Sequence, residues 1–559
     1  MPGSSPQPPH SPSELARAQH NHGLHCAQQG QIDHAVDAFR SAIALKPDLL
    51  AAHANLGVLL AQRGDAIGAR SALEKALSLK PDHVPTLVNL ANLLNDLGEL
   101  DAAQAHALKA LQLSPDSAAA HLALANALRD AGRIAEALEV HRRAAVLHPQ
   151  VPHVVSGYLY ALHFDPAQTR ASLAAEHRRW APLAWPPREG LDLASAPRLP
   201  TADRKLRVGY ISADFREHPV GRFILPLLQH HDRSQFDIFC YANLAVEDDF
   251  TAVIRLAADE WRSIAALSDE TAAALVRSDG IDILVDLSMH LRGNRLGVFA
   301  ARPAPIQATY LAYCSTTGLA QIDYRLTDAW LDPPDADAHY TEQSLRLAGG
   351  YWCYADPPVA ASVSGLPAQT AGHITFGALN HFRKVNAPTI ELWQRVLAAT
   401  PGSRLMVHAG QGSQRRALCA ALQVEEDRIN FVNRLPLDAY FQAYQHIDIA
   451  LDTVGCCGGT TSCDALWMGV PVVSLTGATA VARSGLSILS TIGHAEWAVA
   501  DAARYVQVVC ELASDLNRLA EIRARLRDEM RASPLMDAAR FATDVEDAYR
   551  LMCRGGRPG

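Results

Sequence analysis

Two apolar patterns divide the chain. Up to about Gln150, small and apolar residues recur at helix-contact positions on a fixed 34-residue interval. Pro47, Pro81, Pro115 and Pro149 keep that interval, as do Gly30, Gly64, Gly98 and Gly132. So do Ala35, Ala69, Ala103 and Ala137, and again Ala42, Ala76, Ala110 and Ala144. From Lys205 onward the pattern changes to short apolar runs separated by stretches of helical spacing. Runs of buried-strand type cover 206–211, 236–241, 281–287 and 306–311, and a second series covers 373–378, 404–408, 428–432, 447–451 and 470–475. Strands alternating with helices predict parallel, doubly wound sheets. Helical patterns close the chain from Asp501 to about Leu551.

A 34-residue period with small residues at helix contacts, a glycine between helices and a proline at the repeat end is the tetratricopeptide pattern. Each unit is a helix pair that buries its apolar face only by stacking on its neighbours. The predicted organisation is a disordered Pro/Ser-rich tail at 1–15, four repeats over 16–150, and a helical cap with linker over 151–203. Two α/β domains follow, 204–370 and 371–559, the second carrying the closing helices; the loop-like stretch 357–370 connects them. The fold class is therefore α + α/β, with a cleft expected between the C-terminal edges of the two sheets. Asn21, Asn55 and Asn89 also recur at 34, with Ala123 in the fourth slot. An amide both donates and accepts, so this ladder can pair with the backbone of an acceptor peptide. The alternative is that these asparagines cap or space helices.

Candidate chemistry sits where strands enter helices. Beyond the run 447–451, Gly458-Gly459 and the hydroxyls of Thr460, Thr461 and Ser462 precede a helical pattern. Free N–H groups and the positive end of a helix dipole favour phosphate there, and glycine admits close approach. A plain helix cap by the same hydroxyls is the competing reading. Asp464, in the first turn, can reach ribose hydroxyls. Lys384 follows the strand ending near Ala378, in a loop on the same rim, where an ammonium neutralises charge growing on a leaving diphosphate. His218 follows the first strand, across the cleft; it can accept a hydroxyl proton or orient phosphate and acceptor. Asp335-Ala336-Asp337 has the form of a metal-binding pair, but lies in a proline-rich segment with no strand leading into it, and is read as solvated loop. With no other carboxylate cluster, lysine and helix N-terminus take a metal's role.

Composition narrows the picture only at its edges. The chain has 559 residues, 49% hydrophobic and 19% charged, so several globular domains are expected. A net charge of −9 over this length argues against nucleic acid as main partner. The ten cysteines form no CxxC pair or zinc-spaced cluster, which suggests reduced thiols. The N-terminus lacks the basic start and apolar core of a signal peptide, and no stretch is long enough to span a membrane. A cytoplasmic enzyme is expected.

The residues resemble a known family: the O-linked N-acetylglucosamine transferases of nuclear and cytoplasmic proteins and their plant relatives, the SPINDLY-type O-fucosyltransferases. The likeness lies in 208–212 with His218-Pro219, in 302–307, in 322–328, in the Lys384 loop, and in Leu451-Asp452-Thr453 leading to Gly459-Thr460-Thr461-Ser462-Cys463-Asp464. It implies a GT-B fold and an inverting, metal-free transfer of a sugar from a nucleotide diphosphate to Ser/Thr of proteins. It implies that Lys384 contacts the diphosphate, that Gly459, Thr460 and Thr461 hold phosphate, that Asp464 binds ribose, and that His218 is base or positioning group. His381 stands where the animal enzymes have a glutamine, so it is expected at the nucleotide sugar. In 434–440, Leu437 and Tyr440 replace a lysine and a histidine of the animal enzymes; Leu435 and Tyr440 are expected at the nucleoside, with Tyr440 able to stack on a base. The stretch 460–471 is closer to the SPINDLY version. UDP-N-acetylglucosamine is the first donor expected and GDP-fucose the alternative; a nucleotide-binding scaffold without turnover is the other reading.

Overall fold

A computed structural model describes residues 11–186 and 204–555. The linker expected at 191–203 and the first ten residues lie outside them. The chain forms two compact units, 1–127 and 128–559.

The first unit is built from helix pairs: α1 (Pro12–Gln28) with α2 (Ile32–Leu45), α3 (Leu50–Gln62) with α4 (Ala66–Leu79), and α5 (Val84–Asp96) with α6 (Leu100–Leu113). Residues 12–15, expected in the tail, are helical instead. Ser11 Oγ accepts from Glu14 N–H at 3.2 Å and the Glu14 carboxylate accepts from Ser11 N–H at 2.8 Å, with Pro12 in the first turn; this capping box starts the helix early. Gly30, Gly64 and Gly98 take positive φ of 73°, 81° and 77° between paired helices, which is the physical reason for their recurrence. Gly23 and Gly57, also 34 apart, let helices close: a Cβ at Gly23 would stand 2.7 Å from the Phe39 ring, and one at Gly57 2.6 Å from Leu73. The core is Phe39, Leu56, Leu60, Leu73, Leu90 and Leu94 with interleaved alanines.

The unit boundary falls inside α7 (Ala118–Asp130), so α8 (Ile134–Leu147) belongs to the second unit. The expected cap is α9 (Pro152–Leu162) and α10 (Arg170–Ala184). Both are integral to the second unit: Ser156 Oγ lies 3.2 Å from His290 Nδ1, and Arg178 Nη2 donates to Ala338 O at 2.9 Å.

Two parallel sheets follow. The first holds β1 (Leu206–Ser212), β2 (Phe236–Ala242), β3 (Glu260–Ser263), β4 (Ile283–Asp286), β5 (Ile306–Thr309), β6 (Tyr324–Thr327) and β7 (Gln343–Arg346), ordered β3-β2-β1-β4-β5-β6-β7. The second holds β8 (Thr375–Ala378), β9 (Arg404–His408), β10 (Ile429–Val432), β11 (Ile449–Leu451), β12 (Val472–Leu475) and β13 (Ala498–Val499), ordered β10-β9-β8-β11-β12-β13. Both reverse direction beside their first strand, the doubly wound order whose ligands bind at the carboxyl edge. This is the GT-B arrangement.

β3, β6, β7 and β13 are absent from the apolar runs. β6 shows why: its Arg325 is 2% exposed, held by Asp332 at 2.8 Å and by the Tyr340 ring at 3.8 Å, so a buried strand carries a charge. The closing helices need one correction. The last, Ala538–Cys553, packs on the first sheet's helix α11 (Pro219–His230), not with the second domain. Tyr549 OH bonds Tyr210 OH at 2.9 Å, and the Glu546 carboxylate accepts from Asp232 N–H at 2.7 Å. The apolar face of Phe541, Val545 and Tyr549 is fully buried there.

Candidate active site

Every catalytic or nucleotide-binding residue expected from the sequence lies beyond the carboxyl end of a parallel strand. On the second sheet, Lys384 closes a short 3₁₀ turn, Phe382–Lys384, between β8 and the helix Ala387–Ala399. Its Nζ donates to Cys457 O at 2.7 Å, so the ammonium is fixed on the Gly-rich turn after β11. That turn is wound around Asp452, which is 2% exposed. Asp452 Oδ1 accepts from Gly458 N–H at 2.7 Å and Thr453 N–H at 2.8 Å, and Oδ2 from Ser474 Oγ at 2.8 Å. Burial pushes this carboxyl up, while Gly458, Ser474 and the Lys384 ammonium pull it down.

The helix Thr460–Trp467 starts on Gly459, and no side chain caps it. The capping role open to these hydroxyls is thereby excluded. Thr461 Oγ1 donates to Asn380 Oδ1, and Thr460 Oγ1 bonds no group among the described residues. At Gly458 a Cβ would lie 2.2 Å from Ser462 Oγ, so a larger residue would displace that hydroxyl. The result is a half-buried helix N-terminus without a side-chain cap, one free hydroxyl and an ammonium beside it: a set of donors for a doubly charged oxyanion group. A small cavity lined by Asn380, Tyr444, Asp452, Thr461 and Ser462 lies behind the turn.

Asp464, expected at ribose hydroxyls, is buried among partners of its own. It is 1% exposed, and Oδ1 accepts from Arg222 Nη2 at 2.8 Å and Tyr354 OH at 2.7 Å. Its Oδ2 accepts only from Tyr440 OH at 3.2 Å. Arg222 comes from α11 of the first domain, so this pair ties the two domains across the cleft floor. Burial works against the guanidinium charge, but Asp464 carries it above arginine's ordinary value. Tyr440, half-buried, also shares a 2.8 Å hydroxyl contact with Tyr444; its ring is edge-on to Tyr444 and Phe441. Leu435 is half-buried in the connection from β10 to the helix Leu437–Ala443. His381 is exposed, and its Nδ1 accepts from Arg383 Nε at 3.0 Å, so its bond runs to its own loop rather than to the turn.

On the first sheet, His218 is the N-cap residue of α11. Nδ1 lies 3.3 Å from Val220 N and 3.6 Å from Asp214 Oδ1, both long contacts. Burial lowers its pKa below the ordinary imidazole value against the pull of Asp214. Burial favours the neutral ring, whose Nδ1 accepts from Val220 N–H.

Asp335 and Asp337 are exposed but lie in a 3₁₀ helix, Pro334–His339, rather than a loop. Asp337 pairs with Arg346 at 2.6 Å and Asp335 with Arg170 at 3.7 Å. Among the described residues, no group of three His, Cys, Asp or Glu could hold a metal ion, and no helix is long and apolar enough to cross a membrane. All ten cysteines are unpaired. Asn21 is exposed and Asn55 and Asn89 half-buried, all inside α1, α3 and α5 and away from their ends, so none caps a helix. Asn55 Nδ2 contacts His20 Nε2 at 3.0 Å.

Sequence reasoning gave no role to Asp452, Asn380, Arg222 and Tyr354. Asp452 had a signal, a lone carboxylate directly after an apolar run; the other three act through partners distant in the chain.

The sequence matches glycosyl transferase family 41 over 148–353 and 359–545. Tetratricopeptide families match over 23–64, 60–108 and 88–152. SPINDLY of Petunia hybrida, named a probable UDP-N-acetylglucosamine–peptide N-acetylglucosaminyltransferase, is 36% identical over 363 residues, covering 63% of this chain and 39% of that protein. SPINDLY of Arabidopsis thaliana, similarly named, is 37% identical over 371 residues, covering 64% and 41%. The chain thus spans about two fifths of the length of these curated relatives. A solved variant of the O-GlcNAc transferase of Thermobaculum terrenum superposes with a TM-score of 0.84 at 34% identity, covering 90% of this chain and 97% of that one.

Proposed function

The chain belongs to glycosyl transferase family 41, and on that premise we propose that it is a protein O-glycosyltransferase moving N-acetylglucosamine from UDP-GlcNAc to Ser/Thr hydroxyls. The observation that carries this reading is the Lys384 ammonium fixed at 2.7 Å on Cys457 O, beside a helix start that no side chain caps. The acceptor oxygen attacks the anomeric carbon as its bond to the diphosphate oxygen breaks on the opposite face, so configuration inverts. Charge growing on the diphosphate meets Lys384, the Gly459–Thr461 N–H groups and the Thr460 hydroxyl. These fixed donors do what a metal ion would otherwise do, and the reaction is metal-independent. The acceptor proton passes to His218, or His218 orients the acceptor and solvent takes the proton.

Leu435 and Tyr440 border the nucleoside, and His381 the sugar side of the loop. Asp464 Oδ2, with one 3.2 Å contact, keeps acceptor capacity for a ribose hydroxyl. The repeats bring a polypeptide acceptor, with Asn21, Asn55 and Asn89 as backbone contacts. Ten unpaired thiols suit a cytoplasmic setting.

Calorimetry against UDP and GDP, each in excess EDTA and in Mg²⁺, tests this. UDP is expected to bind with the same affinity in both buffers, and GDP more weakly. Preference for GDP would make GDP-fucose the donor. Loss of UDP binding in EDTA would end the metal-independent mechanism, and a chain that binds neither nucleotide is a repeat scaffold.

A further inference from the structure

A second cluster of unpaired donors lies on the same cleft, away from Lys384. Ser315 follows β5 and Thr479 follows β12, so a pocket lined by both spans the carboxyl edges of the two sheets. Arg170, at the start of α10, and His339, from the 3₁₀ helix Pro334–His339, complete its polar wall. Each of these groups has unused hydrogen-bonding capacity. Arg170 Nε is buried with no partner in the protein. The Ser315 and Thr479 hydroxyls and the His339 ring bond nothing among the described residues, although Ser315 is only 5% and Thr479 7% exposed.

The Arg170 charge is only loosely compensated, although the Glu342 and Asp332 carboxylates stand behind Thr316 and Tyr340 of the pocket wall. Arg170 has one carboxylate, Asp335, at a loose 3.7 Å, and Asp335 is 78% exposed. Arg483, from the segment that carries Thr479, is bonded only through Nε, to Trp330 O at 2.6 Å. Burial lowers its pKa and the Arg170 charge lowers it further, against Asp332, Asp335 and Asp328, so the two guanidinium groups repel across this region. One guanidinium, two hydroxyls and an imidazole line this small pocket, a complementary set for a tetrahedral or carboxylate oxyanion. Asp335 then acts as the internal counter-ion that such a ligand displaces, which gives a role to the acidic pair left outside the nucleotide site.

We propose that Arg170, Ser315, His339 and Thr479 form an oxyanion site distinct from the nucleotide site. On the reading above that this cleft takes a polypeptide acceptor, the site receives a phosphorylated or acidic side chain of that acceptor.

Inorganic phosphate titrated into the full chain tests the site without any turnover. In a Lys384→Ala background, which weakens the nucleotide site, phosphate binding is expected to persist. Arg170→Met should then weaken it about tenfold or more, the usual loss for one charge-assisted pair. Asp335→Asn, at an exposed position, should tighten it several-fold. Binding that vanishes with Lys384→Ala alone, or that neither Arg170→Met nor Asp335→Asn changes, would overturn the site.

Transfer to matched peptides, one with a phosphoserine or glutamate near the acceptor serine and one neutral, tests the source. The acidic peptide is expected to have the higher kcat/KM, and Arg170→Met to abolish that preference while sparing the neutral peptide. Equal use of both overturns the acceptor assignment and leaves free phosphate as the ligand. If no peptide is glycosylated, the acceptor assignment falls with the transferase reading, while the phosphate result stands.

Discussion

Buried polar groups are handled in opposite ways by the two units. In the helix pairs of residues 11–127, the core is leucine, phenylalanine and alanine, and the recurring amides stand at its edge. In residues 128–555, carboxylates sit at strand ends inside the core, each wrapped by donors. Asp452 holds its own turn, and Asp464 holds Arg222 from 242 positions away. A repeat obtains stability from copies of one local contact, so its pattern is periodic and tolerant. The α/β unit fixes a few charges by non-local contacts, so each is specific and costly to lose. That difference predicts where substitutions hurt.

The largest effect is expected at the Arg222–Asp464 pair, with side chains 11% and 2% exposed. Arg222→Met leaves a buried carboxylate unpaired, and removing one partner of such a pair typically costs about 3–5 kcal/mol. Denaturant unfolding of the second unit should show it, and changing Asp464 to Asn in the same chain should restore part of the loss. Stability unchanged in the single variant would mean that water, not Arg222, satisfies Asp464.

Next come the two sides of the cleft. Lys384→Ala should lower kcat by roughly a hundredfold or more, as loss of one preorganised charge-stabilising group does, and should weaken nucleotide binding. His218→Ala should reduce transfer to a similar degree and leave UDP affinity nearly intact. Nucleotide Kd and turnover for both variants separate the roles. If His218→Ala loses UDP as badly as Lys384→Ala, the histidine is a phosphate ligand. Normal turnover in Lys384→Ala would put the leaving group on another loop.

How much of this was legible follows the same division. The 34-residue interval and the strand series came directly from local spacing, because helix contacts and buried strands repeat within one element. The positions of Lys384, His218 and the Gly-rich turn were legible because parallel strands all end on one edge. Arg325 hid β6, since a charge inside a strand reads as surface until Asp332 and Tyr340 are seen around it. The partners of Asp464 were not legible because they lie 24, 110 and 242 positions away. The start of α1 was misread for a simpler reason: Ser11-Pro12 resembles the tail before it, and only the reciprocal bond to Glu14 marks a cap.

A smaller effect concerns pH. His163, His177 and His290 form a buried cluster, with the His177 ring centroid 5.5 Å from that of His163 and 5.4 Å from that of His290, beside Tyr313 and Trp185. Burial lowers all three: His163 well below the ordinary value, His177 to about 4 against the pull of Leu173 O and Glu176, and His290 to about 3. The folded state therefore binds fewer protons than the unfolded one. Their contribution is fully present above the ordinary imidazole pKa of about 6.5 and is lost as pH falls toward 4. Each can contribute a slope of up to about 1.4 kcal/mol per pH unit in that window. Thermal unfolding between pH 7 and pH 5 should show the second unit losing stability, and His290→Gln should flatten the slope. A pH-independent transition would mean that the cluster titrates normally.

The smallest effect belongs to the repeats and probes their side of the contrast. Asn21, Asn55 and Asn89 lie inside successive first helices, where asparagine is a poor helix former and caps nothing. If their amides bind an acceptor backbone, each lost contact should cost on the order of 1 kcal/mol. The triple change to Ala should then raise KM for long protein acceptors and leave short peptides and donor hydrolysis unaffected. Folding should survive, since alanine favours helix and none of the three is in the apolar core. Asn55 is the sensitive rung: its contact with His20 must break before it can hold a ligand, so Asn55→Ala alone should matter less than Asn89→Ala. Unchanged KM for a long acceptor in a folded triple variant would return the ladder to a role in helix spacing. The polar chemistry of the protein would then lie wholly in the second unit.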